Sequence, residues 1–335
     1  QTSQSSGCSV VGVCGKDAET AKLQDLLLHA TKGVAMYAHR ARELGAKDEG
    51  LDRFVVEALF TTMTNVNFDA DKMVDWVQSA AKARADAKAV YEAACNGKGK
   101  SAEQLEGPAA ISLAGTKADL LALAEEVAID RRVESKGPDV TGLEELVTYG
   151  LKGTAAYADH ALILGQMDDD VYAFFHATLD ALTGDLSVDE LTALALKVGE
   201  VNLRVMELLD AAQTGTWGHP EPTSVRVDPV PGKAILVSGH DLKDLDALLK
   251  QTEGKGVNVY THGEMLPCHG YPGLKKYSHL VGNYGGAWQD QREEFAAFPG
   301  AILMTTNCIQ KPAGSYEGRI FTSGLVQWPG VSHID

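Results

Sequence analysis

Apolar residues recur every three or four positions through the first part of the chain, from about Lys16 to Ala212. This period places apolar side chains on one face of a helix, and the many Ala, Leu, Glu and Lys residues also favour helices. Glycines followed by Asp or Ser mark helix ends at ELGAKDEG (43–50) and LTGDLS (182–187). We therefore predict a helical domain over residues 16–213.

The helical segment contains an internal repeat. LLLHATKGVAMYAHRARELG (26–45) aligns with LVTYGLKGTAAYADHALILG (146–165). The repeat predicts two duplicated three-helix bundles. Its shared Lys-Gly-x3-Tyr-Ala-x2-Ala pattern is typical of tight helix packing that needs small residues, with a functional surface as the alternative. Two more helical stretches follow each copy: 51–66 and 70–95 after the first, 168–183 and 187–213 after the second.

The hydrophobic pattern changes after the repeats. Residues 214–233 hold four prolines and no helical period, which is typical of a linker. Beyond it, β-branched runs alternate with helical stretches, and this alternation predicts a Rossmann-like parallel α/β domain over residues 234–335. The predicted strands are 234–239, 257–263 and 301–307, with helices at 241–252 and 288–298 between them and a last strand-like run at 319–326.

A side chain of metal-ligand type follows each of three predicted strands. His240, Glu264 and Cys308 offer one nitrogen, one oxygen and one sulfur, and the carboxyl ends of parallel strands open on a common crevice. Zinc and iron both accept such mixed ligands. Cys268 and His269 are rival ligands. Capping or surface roles for His and Glu, and apolar packing for Cys, are the alternatives.

Two further cysteines, Cys8 and Cys14, lie in a glycine-containing loop that we assign to residues 1–15. Thiolates in such a loop suit iron–sulfur or zinc ligation, but two of them are fewer than a tetrahedral site needs. Two unremarkable loop cysteines are the alternative. The chain has five cysteines in all, too few and too scattered for a disulfide framework, and this favours a reducing cytoplasm.

The charge and the remaining motifs exclude several classes of protein. A total of 30 Lys and Arg against 46 Asp and Glu gives a net charge of −16, which argues against nucleic acid as a partner. The sequence has no run of about 18 apolar residues, so it predicts no membrane span. The N-terminal residues lack the pattern of a signal peptide, and the chain does not begin with Met. No dinucleotide or phosphate-binding loop motif is present.

Four segments resemble the hybrid cluster protein family, also called the prismane or hydroxylamine reductase family: GCSVVGVCGK with the helix after it, PGKAILVSGHDLKDLDALLKQTEGKGVNVYTHGEMLP, YSHLVGNYGGAWQDQ and GAILMTTNCIQKP. The resemblance implies two clusters. Cys8 and Cys14 match the third and fourth cysteines of a [4Fe-4S] cluster. His240, Glu264 and Cys308 match the His, the first Glu and the first Cys of a hybrid [4Fe-2O-2S] cluster.

The resemblance also implies what lies outside this sequence. A C-x2-C pair would precede Gln1, and three cysteines and a second Glu would follow residue 335 in a third domain. The implied activity is reduction of hydroxylamine to ammonia and water, or of nitric oxide to nitrous oxide, with electrons from a redox partner in the cytoplasm of an anaerobe. A nickel-containing carbon monoxide dehydrogenase and a cluster-free truncated fragment are the alternatives. The oligomeric state stays open.

Overall fold

In the computed structural model, which describes residues 11–12 and 14–334, long helices precede a parallel sheet. The chain forms two compact units. The helical unit comprises the described residues up to Met63 with Asp69–Asp159 and Met167–Leu208, and the sheet unit comprises Thr64–Phe68, His160–Gln166 and the described residues from Leu209 onward. The predicted multidomain α and α/β class is confirmed.

The α-helices within the described residues are α1 (Ala18–Glu43), α2 (Glu49–Thr61), α3 (Ala70–Gly97), α4 (Lys117–Glu126), α5 (Ile129–Lys136), α6 (Pro138–Leu162), α7 (Asp169–Ala181), α8 (Val188–Trp217), α9 (Leu242–Thr252), α10 (Pro272–Lys275) and α11 (Gln291–Ala297). The strands are β1 (Lys233–Ser238), β2 (Val257–Thr261), β3 (Leu280–Asn283), β4 (Ala301–Met304), β5 (Ile320–Ser323) and β6 (Ser332–Ile334). Helix α8 ends inside the segment predicted as a linker.

The helices that end the two copies of the repeat stop for a clear structural reason. Gly45 and Gly165 follow α1 and α6 with φ of 86° and 84°, a conformation that glycine adopts without strain. Asp48 and Asp168 then cap α2 and α7, and each carboxylate accepts a backbone N–H of the first helical turn. The two N-cap residues have almost identical backbone angles, φ −141° with ψ 118° and φ −141° with ψ 116°.

The lysines of the repeated Lys-Gly pattern make reciprocal contacts. Lys32 Nζ lies 3.5 Å from the carbonyl oxygen of Leu182, the C-cap of α7. Lys152 Nζ lies 3.5 Å from the carbonyl oxygen of Thr62, the C-cap of α2. Each buried ammonium therefore sits at the negative end of a helix from the other half of the helical unit.

The glycines of this pattern differ in their surroundings. A Cβ on Gly33 would lie 2.2 Å from the carbonyl oxygen of Pro108, so close packing there requires glycine. A Cβ on Gly153 would meet nothing within 4 Å. The prediction that small residues serve tight packing is confirmed at Gly33 and wrong at Gly153.

A buried ionic cluster links α1, α2 and α7. Asp52, only 2 % exposed, accepts a hydrogen bond from Arg42 Nη2 at 2.5 Å and lies 2.8 Å from His176 Nε2. Burial pushes the pKa of the Asp52 carboxyl upward, but hydrogen bonds from His176 and Arg42 outweigh it and hold that pKa below its usual value. The charged form of Asp52 is therefore the one that the fold stabilises.

The sheet has the strand order β3-β2-β1-β4-β5-β6, and all its pairs are parallel. The chain moves outward in one direction from β1 and in the other from β4, so the order reverses between these two central strands. Strands β1, β2, β4 and β5 confirm the four predicted runs. The predicted runs do not include β3, whose apolar residues end at Gly282 and Asn283, or β6, which has a single apolar residue.

We expect Asp52→Asn to lower the free energy of unfolding by about 3 kcal/mol, because it leaves the Arg42 guanidinium without its buried counter-charge. Urea unfolding at neutral pH measures this loss. The control Asp75→Asn breaks an exposed pair with Lys72 and should change stability by less than about 0.5 kcal/mol.

The same pair of measurements has a pH dependence. Because the folded pKa of Asp52 is depressed, its contribution is fully present above about pH 4 and is lost as pH falls through the lower folded value. The gap between wild type and Asp52→Asn should therefore shrink in acid. A gap that stays constant as the pH falls would contradict this account.

Candidate metal centre

The three predicted ligand residues come together in the sheet unit. Donor atoms of His240, Glu264 and Cys308 all lie within 4.8 Å of one another. His240 Nε2 is 2.5 Å from Glu264 Oε2, and Cys308 Sγ is 3.5 Å from the same oxygen. The residues follow β1, β2 and β4, so the group forms where the strand order reverses.

His240 is placed by close contact between the segments that follow β1 and β4. A Cβ on Gly239 would lie 2.5 Å from Thr305 Oγ1 and 2.9 Å from the backbone nitrogen of Thr306, so only glycine fits there. Thr306 Oγ1 accepts the backbone N–H of His240 at 2.8 Å and lies 3.4 Å from Nδ1 of its ring. These contacts direct Nε2 toward Glu264.

Glu264 stands at the start of the 3₁₀ segment Gly263–Gly270, with a side chain that is 70 % exposed. The turn begins at Gly263, whose φ of 57° suits glycine. This geometry leaves the carboxylate free of the sheet and able to reach both other donors.

A second histidine–carboxylate pair, which sequence reasoning did not predict, lies at the ends of the same strands. His262, fully buried, places Nε2 2.8 Å from Glu294 Oε2 and Nδ1 3.2 Å from Ser238 Oγ. The other carboxylate oxygen of Glu294 accepts the backbone N–H of Gly286 at 3.0 Å. This network ties the ends of β1 and β2 to α11, and no local motif at Glu294 signals it.

Cys308 occupies an unusual backbone position with φ of 75°. Burial, with a smaller contribution from the nearby Glu264 carboxylate, raises the pKa of its thiol to about 12. Without a metal ion, the thiol is therefore protonated at neutral pH and donates toward Glu264.

The rival ligands lie elsewhere. Cys268 is fully buried among apolar side chains of the sheet unit, and burial raises its thiol pKa to about 12. His269 is buried, and its Nε2 lies 2.9 Å from Thr261 Oγ1. Neither residue joins the group formed by His240, Glu264 and Cys308.

The N-terminal cysteines are described only in part. Cys14 is half-buried in a tight turn of the helical unit, in which the N–H of Gly12 donates to the carbonyl of Lys16 at 2.7 Å and that of Gly15 to Gly12 at 2.9 Å. Cys8, the other predicted ligand in this loop, lies outside the described residues. Its pairing with Cys14 stays a prediction.

Among the helices within residues 11–12 and 14–334, none combines the length and the apolar character that crossing a bilayer requires.

Comparison with known proteins gives a consistent result. Residues 2–335 match the Prismane/CO dehydrogenase family. The chain is 54% identical over 335 residues to the hydroxylamine reductase of Rhodospirillum rubrum and 53% identical over 335 residues to that of Syntrophobacter fumaroxidans, covering 100% of this chain and 61% of each relative. It is 54% identical over 331 residues to that of Acidithiobacillus ferrooxidans, covering 98% of this chain and 59% of the relative. The chain thus spans about three fifths of these curated relatives.

We expect the chain to bind Co²⁺ through the three converging donors, because together they offer mixed nitrogen, oxygen and sulfur ligation with an open position. A thiolate-to-cobalt charge-transfer band should appear on titration and disappear in Cys308→Ser. Glu264→Gln should weaken binding by about tenfold or more.

Cys14→Ser is the matched control, because Cys14 belongs to the other candidate site and its loss should leave the band intact. A band that survives in Cys308→Ser, or is lost in Cys14→Ser, would contradict the assignment.

Proposed function

Because the chain belongs to the Prismane/CO dehydrogenase family, we propose that the protein is an iron–sulfur oxidoreductase that reduces hydroxylamine to ammonia and water. The observation that carries the proposal is the convergence of His240, Glu264 and Cys308 at the reversal point of the sheet. Relatives about 54% identical over the whole chain are named hydroxylamine reductase, which supports the same activity.

The donor set fits a hybrid [4Fe-2O-2S] cluster. Such a cluster combines sulfur and oxygen bridges, so it calls for hard and soft ligands together, and the three residues supply an imidazole, a carboxylate and a thiol within 4.8 Å. When bound, the cluster supplies electrons and a Lewis-acidic iron to a small nitrogen–oxygen substrate. His240, Glu264 and Cys308 would hold it.

The residues around the ligands contribute orientation. Thr306 Oγ1 lies 3.4 Å from His240 Nδ1, and Nε2 is the ring nitrogen that faces Glu264. Buried His262 and Glu294 fix the turn from which Glu264 projects. Neither Thr306 nor the His262–Glu294 pair contacts the side chain of Glu264. This exposed carboxylate is therefore the ligand that can most easily change its position.

We assign Cys8 and Cys14 to a [4Fe-4S] cluster through which electrons enter. Lys16, which follows Cys14 closely, restrains the turn that contains this cysteine. The ammonium of Lys16 is fully buried, and its Nζ donates to Gln24 Oε1 at 2.7 Å and to the carbonyl of Met63 at 3.1 Å. These bonds attach the turn that contains Cys14 to the rest of the helical unit.

We also propose that α1–α3 and α6–α8 are two copies of one three-helix bundle, and that the sheet unit is Rossmann-like. The reciprocal contacts of Lys32 and Lys152 with helix ends of the opposite half support a duplication. The division into residues 1–15, 16–213, 214–233 and 234–335 remains our proposal for the domains.

The substrate would be a small nitrogen oxide, with nitric oxide as the second choice, and a cytoplasmic redox protein would donate electrons. A carbon monoxide dehydrogenase activity is not favoured, because the relatives above carry the name hydroxylamine reductase. A metal content of about eight iron atoms per full-length chain, without nickel, would support two iron–sulfur clusters.

We expect Glu264→Ala, made in the full-length protein under anaerobic conditions, to lower hydroxylamine reduction by more than about 100-fold, beyond the usual effect of a residue that only supports a ligand. The electron paramagnetic resonance signal of the hybrid cluster should change, while that of the [4Fe-4S] cluster stays unchanged. An unaltered hybrid signal in Glu264→Ala would overturn the role of this residue.

The control is Glu293→Ala, which removes an exposed carboxylate from the first turn of α11 and should leave both signals and the activity as they are. If wild-type protein with a full complement of iron does not reduce hydroxylamine, the proposed activity is wrong, whatever the variants do.

A further inference from the structure

The backbone of Cys308 lies in the left-handed region, with φ of 75°. Among non-glycine residues that the structure describes, Asn65 alone shares a positive φ. Asn tolerates this region because its short amide bonds locally, whereas Cys has no such compensation. Some other contact must therefore hold the Cys308 turn in place.

A single side chain supplies that contact. Gln291 is 1 % exposed, its Nε2 donates to the carbonyl oxygen of Cys308 at 2.8 Å, and its Oε1 accepts the N–H of Gln310 at 3.0 Å. The two bonds bracket Ile309, which is itself fully buried. One amide thus closes the turn on both sides of a buried apolar anchor.

The residue type matches this task. A planar amide carries a donor and an acceptor on the same carbon, which is what the Cys308 carbonyl and the Gln310 N–H require together. Ionised glutamate would keep the acceptor and lose the donor, and methionine would keep a similar volume and lose both. A buried carbonyl left without its donor is costly, so neither substitute can hold the turn equally well.

Gln291 also starts the helix that supports the other ligand-bearing turns. Glu294, three residues along α11, accepts from the backbone of Gly286 and pairs with buried His262. The same short helix therefore reaches the turn that carries Cys308 and the strand end that precedes Glu264.

We propose that Gln291 is a positioning residue of the candidate metal centre. Its amide holds the left-handed Cys308 turn, so that Sγ faces Glu264 and His240. This inference rests on the proposed function to the extent that the three residues bind a metal. It adds a residue that contacts neither the donor atoms nor a substrate.

The test compares Gln291→Met and Gln291→Glu with wild type by Co²⁺ titration of the present chain. Both variants should bind Co²⁺ about 10- to 100-fold more weakly, the usual effect of losing a residue that orients a metal ligand. At saturation, the thiolate-to-cobalt band should be weaker relative to the total Co²⁺ spectrum, because Sγ no longer points at the site. A purely structural role would not alter that ratio.

Gln289→Met is the matched control. Gln289 lies two residues earlier, is exposed, and makes no side-chain hydrogen bond within the described part of the chain. It should keep wild-type affinity and band intensity. Circular dichroism and urea unfolding of each variant report whether the fold is intact.

Every result decides the proposal. Wild-type affinity and band in both Gln291 variants would overturn it, and so would two variants that fail to fold, since Gln291 would then be a core residue. A wild-type chain without the Cys308 band would overturn both this inference and the metal centre. A wild-type chain with the band, whose full-length form does not reduce hydroxylamine, would leave the role of Gln291 standing while the proposed activity fails.

Discussion

The candidate centre depends on how closely the segments after β1 and β4 approach each other. The N–H of Thr305 donates to the carbonyl of Ser238 at 3.0 Å, which extends the pairing of these strands by one step. Gly239 then passes so close to Thr305 and Thr306 that no side chain fits between them. Because of this approach, His240 lies beside the turn that carries Cys308. A bulkier residue at position 239 would push His240 and Cys308 apart, so that they could no longer bind one metal together.

In the helical unit, two buried lysine ammonium groups lie at the C-termini of helices. Burial lowers the pKa of Lys32 to about 8, because the ammonium loses water when it is enclosed. Its position at the C-terminus of α7, and that of Lys152 at the C-terminus of α2, offsets part of that cost through the helix dipoles. The lysine that repeats in the sequence therefore contacts the C-terminus of another helix in each copy.

The sequence predicted those parts of the fold that have a local signal. Runs rich in β-branched residues identified β1, β2 and β4, and the parallel arrangement then placed His240, Glu264 and Cys308 at one edge. The position of Glu264 at the strand exit favours it over its neighbours Cys268 and His269. The structure separates these neighbours from it, because the 3₁₀ segment turns both into the interior.

The parts that escaped prediction depend on contacts between distant residues. Gln291 and Cys308 are 17 positions apart, and His262 and Glu294 are 32 apart. Neither pair has a periodicity or a spacing that marks it. The left-handed backbone of Cys308 is also invisible in the sequence, because glycine or asparagine is the residue expected there. In β3, Gly282 and Asn283 follow only two apolar residues, so the sequence shows no strand-like run there.

The ligand residues are held by hydrogen bonds between turns more than by the strands. Each ligand residue lies just past the last strand pair, where the ladder no longer restrains the backbone. Thr306 holds His240, Gln291 holds Cys308, and Glu294 holds the turn beside Glu264 through His262 and Gly286. Because two of these three supports start from α11, a shift of that one helix would move the sulfur and oxygen donors together relative to the histidine. Their spacing to His240 is thus governed by how α11 packs on the sheet, at positions that touch no ligand atom.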